Sequence, residues 1–437
     1  MDITIITILL FSCLIILLIT GLPIAFVMAG VAVVFTYFLW GLQGLIMISS
    51  MTYGVMRNFI LTAIPLFIFM GIVLQHSGLA GSLYDMMYKW LGPIRGGLAI
   101  GTIIICMLFA AMTGVSGAAT VSMGLIALPS MFKYNYDKRI AIGCVSAGGA
   151  LGILIPPSVL MIVYGVFAGE SIGALYAGGI LPGVILGSYF ILYVIIRCYF
   201  QPNLGPSVPK EEKVNFKEKL LSLKAVIFPI GLIVVVLGII FRGVATPTEA
   251  AAIGALGSLL CAAISRTLTW QVFKTASYET LRLSCMILWI IIGGTCFSSL
   301  YTALGAVDLI KEAVSALPVS RYIILAGMQF ILIILGCLMD PGGIIMICTP
   351  VMVPVIKLLG FDPIWFGVLF IINMEMAYLT PPFGFNLFYM KAIVPKSIAM
   401  GDIYKSITPF VGLQALCLIT CILFPEIVLW LPRSIIK

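Results

Sequence analysis

Two Pro-Pro pairs, Pro156-Pro157 and Pro381-Pro382, stand 225 residues apart, each inside a long apolar run. Proline has no amide hydrogen to donate and clashes with the preceding turn, so neither run can pass through its pair as a regular helix. Such apolar runs belong in a membrane, where non-helical backbone survives only if protein or a water-filled cavity surrounds it. A chain of this kind must enclose two interrupted helices inside a membrane-embedded body.

The same 225-residue offset superposes Pro129 on Pro354, Gly117 on Gly342, Arg57 on Arg282, Tyr53 on Tyr278 and Tyr164 on Tyr389. One offset shared by so many pairs indicates duplicated halves. Near the start of each half, Gly21-Leu22-Pro23-Ile24 matches Ala245-Thr246-Pro247-Thr248 after a shift of one residue, each opening a helix.

Composition supports the membrane reading: 62% of the 437 residues are hydrophobic and 9% charged, too few polar groups to cover a water-soluble surface. Runs approaching the roughly 20 residues that cross a bilayer recur, as at 3–20, 172–196 and 225–241, and no soluble domain fits between them. The first run opens Met1-Asp2-Ile3-Thr4, with an acid, no basic leader region and no small-residue cleavage site, and is expected to be a retained helix. The net charge of +8 sits in short loops, where it sets membrane orientation and gives no ground for a nucleic-acid partner. Eleven scattered cysteines with no CxxC pair support neither a disulfide framework nor a zinc site.

These patterns predict an all-α polytopic membrane protein of two inverted repeats, each with a re-entrant hairpin and a Pro-Pro-broken helix. The first repeat, 1–200, comprises spans 3–20, 22–40 and 59–76, hairpin 97–131, broken helix 140–169 and span 172–197. A polar stretch, 201–224, carries Pro202, Pro206, Pro209 and the run Lys210-Glu211-Glu212-Lys213, and reads as a cytoplasmic linker. The second repeat, 225–437, has hairpin 322–356 and broken helix 363–395. The arms 97–112 and 117–131 are too short to cross comfortably, which favours re-entry over two crossings.

With ten spans, two re-entrant hairpins and the linker inside, 17 of the 24 Lys and Arg fall on the cytoplasmic side and 7 outside, as positive loops prefer. Both chain ends are then periplasmic, and the hairpins enter from opposite faces. Five spans per half require this opposition, which is a transporter architecture.

A broken helix offers unwound carbonyls that can coordinate Na⁺ and a new N-terminus whose amides can hold a carboxylate. The candidate cation ligands are Ser116, Gly148, Gly152, Pro156, Asp340, Asn373 and Thr380. The candidate substrate contacts are Thr113, Pro157, Ser158, Pro382, Gly384 and Asn386. Asp340, in the tip Met339-Asp340-Pro341-Gly342-Gly343, is the strongest side-chain ligand, because a carboxylate between apolar runs needs a cation or a hydrogen-bond network; capping the next helix is its structural alternative. Ser116, Thr113 and Thr120 supply neutral oxygens at the first tip, although such hydroxyls often bond the backbone. Glu375 could be a cation ligand, a proton carrier or a partner for a basic side chain. Arg57 and Arg282 read as interfacial snorkelling residues, His76 as structural, and Thr246 to Glu249 as a capping box with Pro247 at the first helical position.

Pro65-Leu66-Phe67-Ile68-Phe69-Met70-Gly71, Gly148 through Ser158, Ser171-Ile172-Gly173, Pro182-Gly183, Thr246 through Ala250 and Leu379 through Gly384, taken in this order, resemble the large membrane subunit of tripartite ATP-independent periplasmic (TRAP) transporters. The likeness covers nearly the whole chain. It departs at the first hairpin tip, where the family resembles Ser-Gly-Ser-Ser and this chain has Thr113-Gly114-Val115-Ser116, losing one hydroxyl.

The resemblance implies an elevator-type, Na⁺-coupled importer in a bacterial inner membrane, with hairpins and broken helices moving as a unit. It also implies a small membrane subunit and a periplasmic binding protein, both separate chains, the latter delivering an organic acid such as a C4-dicarboxylate or sialic acid. A stand-alone Na⁺ or H⁺/carboxylate symporter is the alternative, separated from this reading by dependence on the binding protein. A channel fits poorly with hairpins entering from opposite faces. No HExxH, GxxxxGK[ST] loop or paired catalytic Asp suggests an enzyme or ATPase.

Overall fold

A computed structural model describes residues 3–209 and 215–435 as helices joined by short turns. The charged run 210–213 lies outside the described residues. Helices α1 (Ile3–Ile19), α2 (Ile24–Met56) and α3 (Ala63–His76) open the chain, followed by α4 (Leu79–Leu91). Helix α2 is interrupted at Gly41 (φ 66°, ψ −159°), so its first part matches the expected span and a second helix continues beyond it. Then come α5 (Gly97–Thr113), α6 (Ser116–Lys133), α7 (Lys138–Ala150), α8 (Val159–Ala168) and α9 (Ile172–Phe200).

The second half runs α10 (Phe216–Ser222), α11 (Lys224–Phe241), α12 (Pro247–Ile264), α13 (Trp270–Ala303), α14 (Ala306–Ser315), α15 (Arg321–Gly336), α16 (Pro341–Leu358), α17 (Pro363–Leu379), α18 (Phe385–Ile393), α19 (Met400–Leu423) and α20 (Glu426–Ile435). Element order recurs between the halves at the sequence offset. Adding 225 to the bounds of α6, 116–133, gives 341–358, the bounds of α16.

Eight helical segments among the described residues are long and apolar enough to cross a membrane: Ile24–Met56, Phe59–His76, Ile172–Phe200, Phe216–Phe241, Pro247–Ile264, Trp270–Ala303, Pro341–Leu358 and Met400–Leu423. The molecule is a multi-pass membrane protein. The expected ten spans differ from these eight in three places. Helix α1 has 17 residues, each broken helix is divided into two short pieces, and α16, expected as a hairpin arm, is itself long enough to cross. Large apolar side chains crowd the outer surface, among them Ile19, Phe38 and Phe200.

Three short amphipathic helices, α4, α14 and α20, were not anticipated. Each presents apolar side chains to the body, such as Leu83 and Tyr84, Val307, or Val428 and Leu429. Residues 201–209 lie against the entrance to α5: Gly96 N–H donates to the Gly205 carbonyl (2.8 Å), Val208 N–H to Gly92 (2.9 Å) and Asp137 N–H to Leu204 (3.0 Å). Thr246 and Glu249 close the expected capping box at the start of α12, and Pro247 occupies its first position.

Candidate functional site

Each half contains two short helices joined by a tight tip, then a helix interrupted at Pro-Pro. In the first tip, Gly114 adopts a left-handed conformation (φ 61°), Val115 is extended and Ser116 starts α6. An added Cβ on Gly114 would sit 2.5 Å from the Pro157 carbonyl oxygen, so only glycine lets the tip approach the first break this closely. Val159 N–H donates to the Gly114 carbonyl (3.3 Å), tying break to tip.

In the second tip, Asp340 is extended, Pro341 takes the first position of α16, and the Asp340 carboxylate accepts from Gly342 N–H at 2.9 Å. Asp340 is therefore an N-cap. Both Pro-Pro bonds are cis.

The short helices after the breaks cross between halves. Helix α8 packs on α16 of the second hairpin, and α18 packs on α6 of the first. This exchange brings residues 270 positions apart into contact: Ser116 Oγ donates to Asn386 Oδ1 (2.8 Å), and Asn386 Nδ2 donates to the Ser146 carbonyl (3.2 Å). All three are buried. One carboxamide thus joins the first tip, the first broken helix and the start of α18.

Next to this junction, both tips border a cavity of about 530 Å³. Gly114, Val115 and Gly117 line it from the first tip, Asp340 and Gly342 from the second, Tyr378, Phe383, Phe385 and Tyr389 from the second broken helix, and Phe26 and Trp289 from α2 and α13. Among the described residues that line it there is no Lys, Arg or His, and its polar side chains are Asp340, Trp289, Tyr378 and Tyr389.

The structure divides the expected site residues. Ser116 and Asn386 meet, and Asp340 faces the cavity. Gly152 lies so close to the first tip that an added Cβ would stand 3.2 Å from Val115 backbone, while Gly148 packs on Cys106. Pro156 and Pro157 are buried, Pro382 is exposed and Gly384 is buried.

Several polar side chains are spent on backbone or on each other. Thr113 donates to the Phe109 carbonyl (2.9 Å), Thr120 to Ser116 (3.1 Å) and Thr380 to Met376 (2.7 Å). Ser158 donates to the Ile153 carbonyl (2.5 Å) and caps α8 by accepting from Met161 N–H (3.3 Å). Asn373 is buried against the second hairpin, its amide donating to both Gln329 oxygens at 3.0 Å.

Glu375 is fully buried. Gln414 donates to its backbone carbonyl (3.4 Å), and its carboxylate oxygens have no hydrogen-bond partner among the described residues. His76 Nε2 lies 3.0 Å from Glu279 Oε2. The Arg57 guanidinium lies over Tyr53, 5.6 Å from the ring centre. Sequence reading passed over Gln329, Gln414, Tyr378 and the Ser146 carbonyl. The two glutamines carried a legible signal, being uncharged polar residues inside apolar runs.

Comparison with known proteins places this arrangement. Residues 11–427 match the family model for the tripartite ATP-independent periplasmic transporter, DctM component. The C4-dicarboxylate TRAP transporter large permease protein DctM of Pseudomonas aeruginosa is 34% identical, with 86% of this chain and 87% of that protein aligned. Its namesake from Vibrio cholerae is 31% identical over 97% of both chains. The Alcanivorax borkumensis YdaH transporter, 15% identical, shares the fold with a TM-score of 0.64 over 95% of this chain and 99% of that one. The chain therefore belongs to the DctM family: it is the large membrane permease of a tripartite transporter, and not an enzyme.

Proposed function

We propose that this permease imports an organic acid, a C4-dicarboxylate or similar carboxylate, across a bacterial inner membrane, driven by Na⁺. A periplasmic binding protein delivers the substrate and a small membrane subunit completes the assembly. The observation that carries the reading is the Ser116–Asn386–Ser146 junction beside a cavity into which both tips open. Half-helix ends, tip oxygens and free carbonyls gathered at one place are the parts that ion-coupled carriers use for a carboxylate and its cation.

In this reading the two halves are inverted repeats, and the hairpins with their broken helices slide as one body past α2 and α13. Asp340 and the carbonyls around Gly152 and Pro156 hold the cation. The start of α18 at Gly384 faces the substrate. A cavity wall without basic side chains leaves selection of the acid largely to the binding protein.

The test is uptake of a panel of labelled organic acids into proteoliposomes under an imposed Na⁺ gradient, with and without the binding protein and small subunit. Uptake that requires both partners and the gradient is expected. Uptake by this chain alone would replace the proposal with a stand-alone symporter.

A further inference from the structure

Two arginines come level with each other at one end of the bundle, with no carboxylate to neutralise either. Gly143 of α7 and Tyr193 of α9 both pack on Phe410 of α19: a Cβ added to Gly143 would stand 2.5 Å from that ring, and the Tyr193 ring centre is 5.2 Å from it. Lys138 binds Asp402 (2.7 Å), and Cys417 Sγ faces the Pro182 carbonyl (3.7 Å), so α7 runs along α19 while α9 runs against it. One turn before Gly143 is Arg139, and one turn after Tyr193 is Arg197. Residues four apart share a helix face, so the two arginines stand on the same side of Phe410. The Tyr193 hydroxyl lies in the field of both guanidiniums.

The carboxylates nearby are committed elsewhere. Asp402 is held by Lys138 and accepts from Ala399 N–H (3.2 Å), and Asp137 caps α7 by accepting from the Arg139 backbone N–H (2.7 Å). Among the described residues no carboxylate reaches either guanidinium at salt-bridge distance. Arg139 is the second residue of α7, at the end where the helix dipole disfavours a cation. Arg197 Nε is buried with no acceptor. Snorkelling into water explains an exposed cation at a helix end, but not a desolvated donor left unpaired.

The position selects the kind of anion. Helix α9, 29 residues long, is long enough to cross a membrane, and Arg197 lies in its last turn, at the level of lipid headgroups. Beside it Leu192, Ile195 and Ile196 are 53%, 45% and 46% exposed, an apolar surface that meets hydrocarbon.

We propose that Arg139 and Arg197 together bind the phosphate of an anionic phospholipid. Two guanidiniums offer the forked donors that phosphate oxygens accept, and the apolar side of α9 receives the acyl chains. The lipid then bridges the start of the first broken helix to the span that follows it.

Native mass spectrometry of the full chain in detergent, titrated with phosphatidylglycerol or phosphatidylcholine, tests this. Wild type should prefer phosphatidylglycerol. Arg139→Gln and Arg197→Gln should each weaken its binding about fivefold, and together about 25-fold with the preference lost. Arg321→Gln is the control, because Arg321 also lacks a carboxylate partner but stands at the start of α15, and it should bind like wild type. Arg139 is exposed, so Arg139→Gln keeps the test available if the Arg197 variants unfold. Inorganic phosphate at the same concentration should leave the bound lipid in place. A double variant that keeps the preference, an equal loss in Arg321→Gln, or displacement of the lipid by inorganic phosphate would each overturn the proposal.

Discussion

Val115 and Asp340 occupy the same place in the two halves, 225 residues apart, each extended and each the last residue before the second arm of its hairpin. Val115 caps nothing, whereas Asp340 caps α16 and faces the cavity. One position later the contrast reverses: Ser116 bonds Asn386 in the first half, while Pro341 in the second has no hydroxyl to offer. Asn386 itself corresponds to Met161. The two halves share helix boundaries and divide the chemistry, so that the hydrogen-bonded crossing lies at one tip and the carboxylate at the other.

The largest effect should come from Gly114, whose counterpart Met339 needs no left-handed backbone. Gly114→Ala combines a strained φ with a methyl 2.5 Å from the Pro157 oxygen, and should cost about 3 kcal/mol by chemical denaturation. Met339→Gly should cost under about 1 kcal/mol, and equal losses at the two tips would erase the distinction between them.

Asn386→Leu strands the Ser116 hydroxyl and the Ser146 carbonyl, for an expected loss of about 2 kcal/mol. A double-mutant cycle with Ser116→Ala should show coupling; strict additivity would mean that the crossing bond contributes nothing.

Asp340→Asn keeps the side-chain shape and the cap but removes the charge, and should raise the Na⁺ concentration for half-maximal uptake about tenfold, near 1.4 kcal/mol. Unchanged Na⁺ dependence would exclude Asp340 as a ligand.

The smallest effect concerns the helix entrances that match between halves. Helix α2 follows Pro23 without a side-chain cap, whereas α12 has the Thr246–Glu249 box. Thr246→Ala should lower stability by about 1 kcal/mol and leave uptake intact, and a loss of uptake out of proportion to that would give the box a role in transport.

The tips and breaks were legible because proline, glycine and isolated polar residues act on the backbone within a turn or two of where they stand. The bounds of α5, α6 and α16 follow closely from Gly114, Ser116 and Pro341. Helices α4 and α14 were missed because Asp85, Lys89, Asp308 and Lys311 lower local hydropathy, and a search for apolar runs is blind to a helix with only one apolar face. The crossing of α8 and α18 was also hidden. Ser116 and Asn386 each sit in ordinary-looking local sequence, and only tertiary packing decides that they meet. Gln329 and Gln414 could have been weighed as Asp340 was, since an amide in hydrocarbon also needs a partner.

The exchange of α8 and α18 also constrains how the chain is made. Helix α8 leaves the ribosome well before α16, the surface on which it rests, and α6 must wait still longer for α18. Until the last quarter of the polypeptide has been inserted, Gly117 and Gly124 on α6 have no cover from Tyr389 and Ile393. A fragment ending in the linker would carry a complete set of its own helices and still leave this face of α6 uncovered. The two halves, though alike in plan, complete each other's packing.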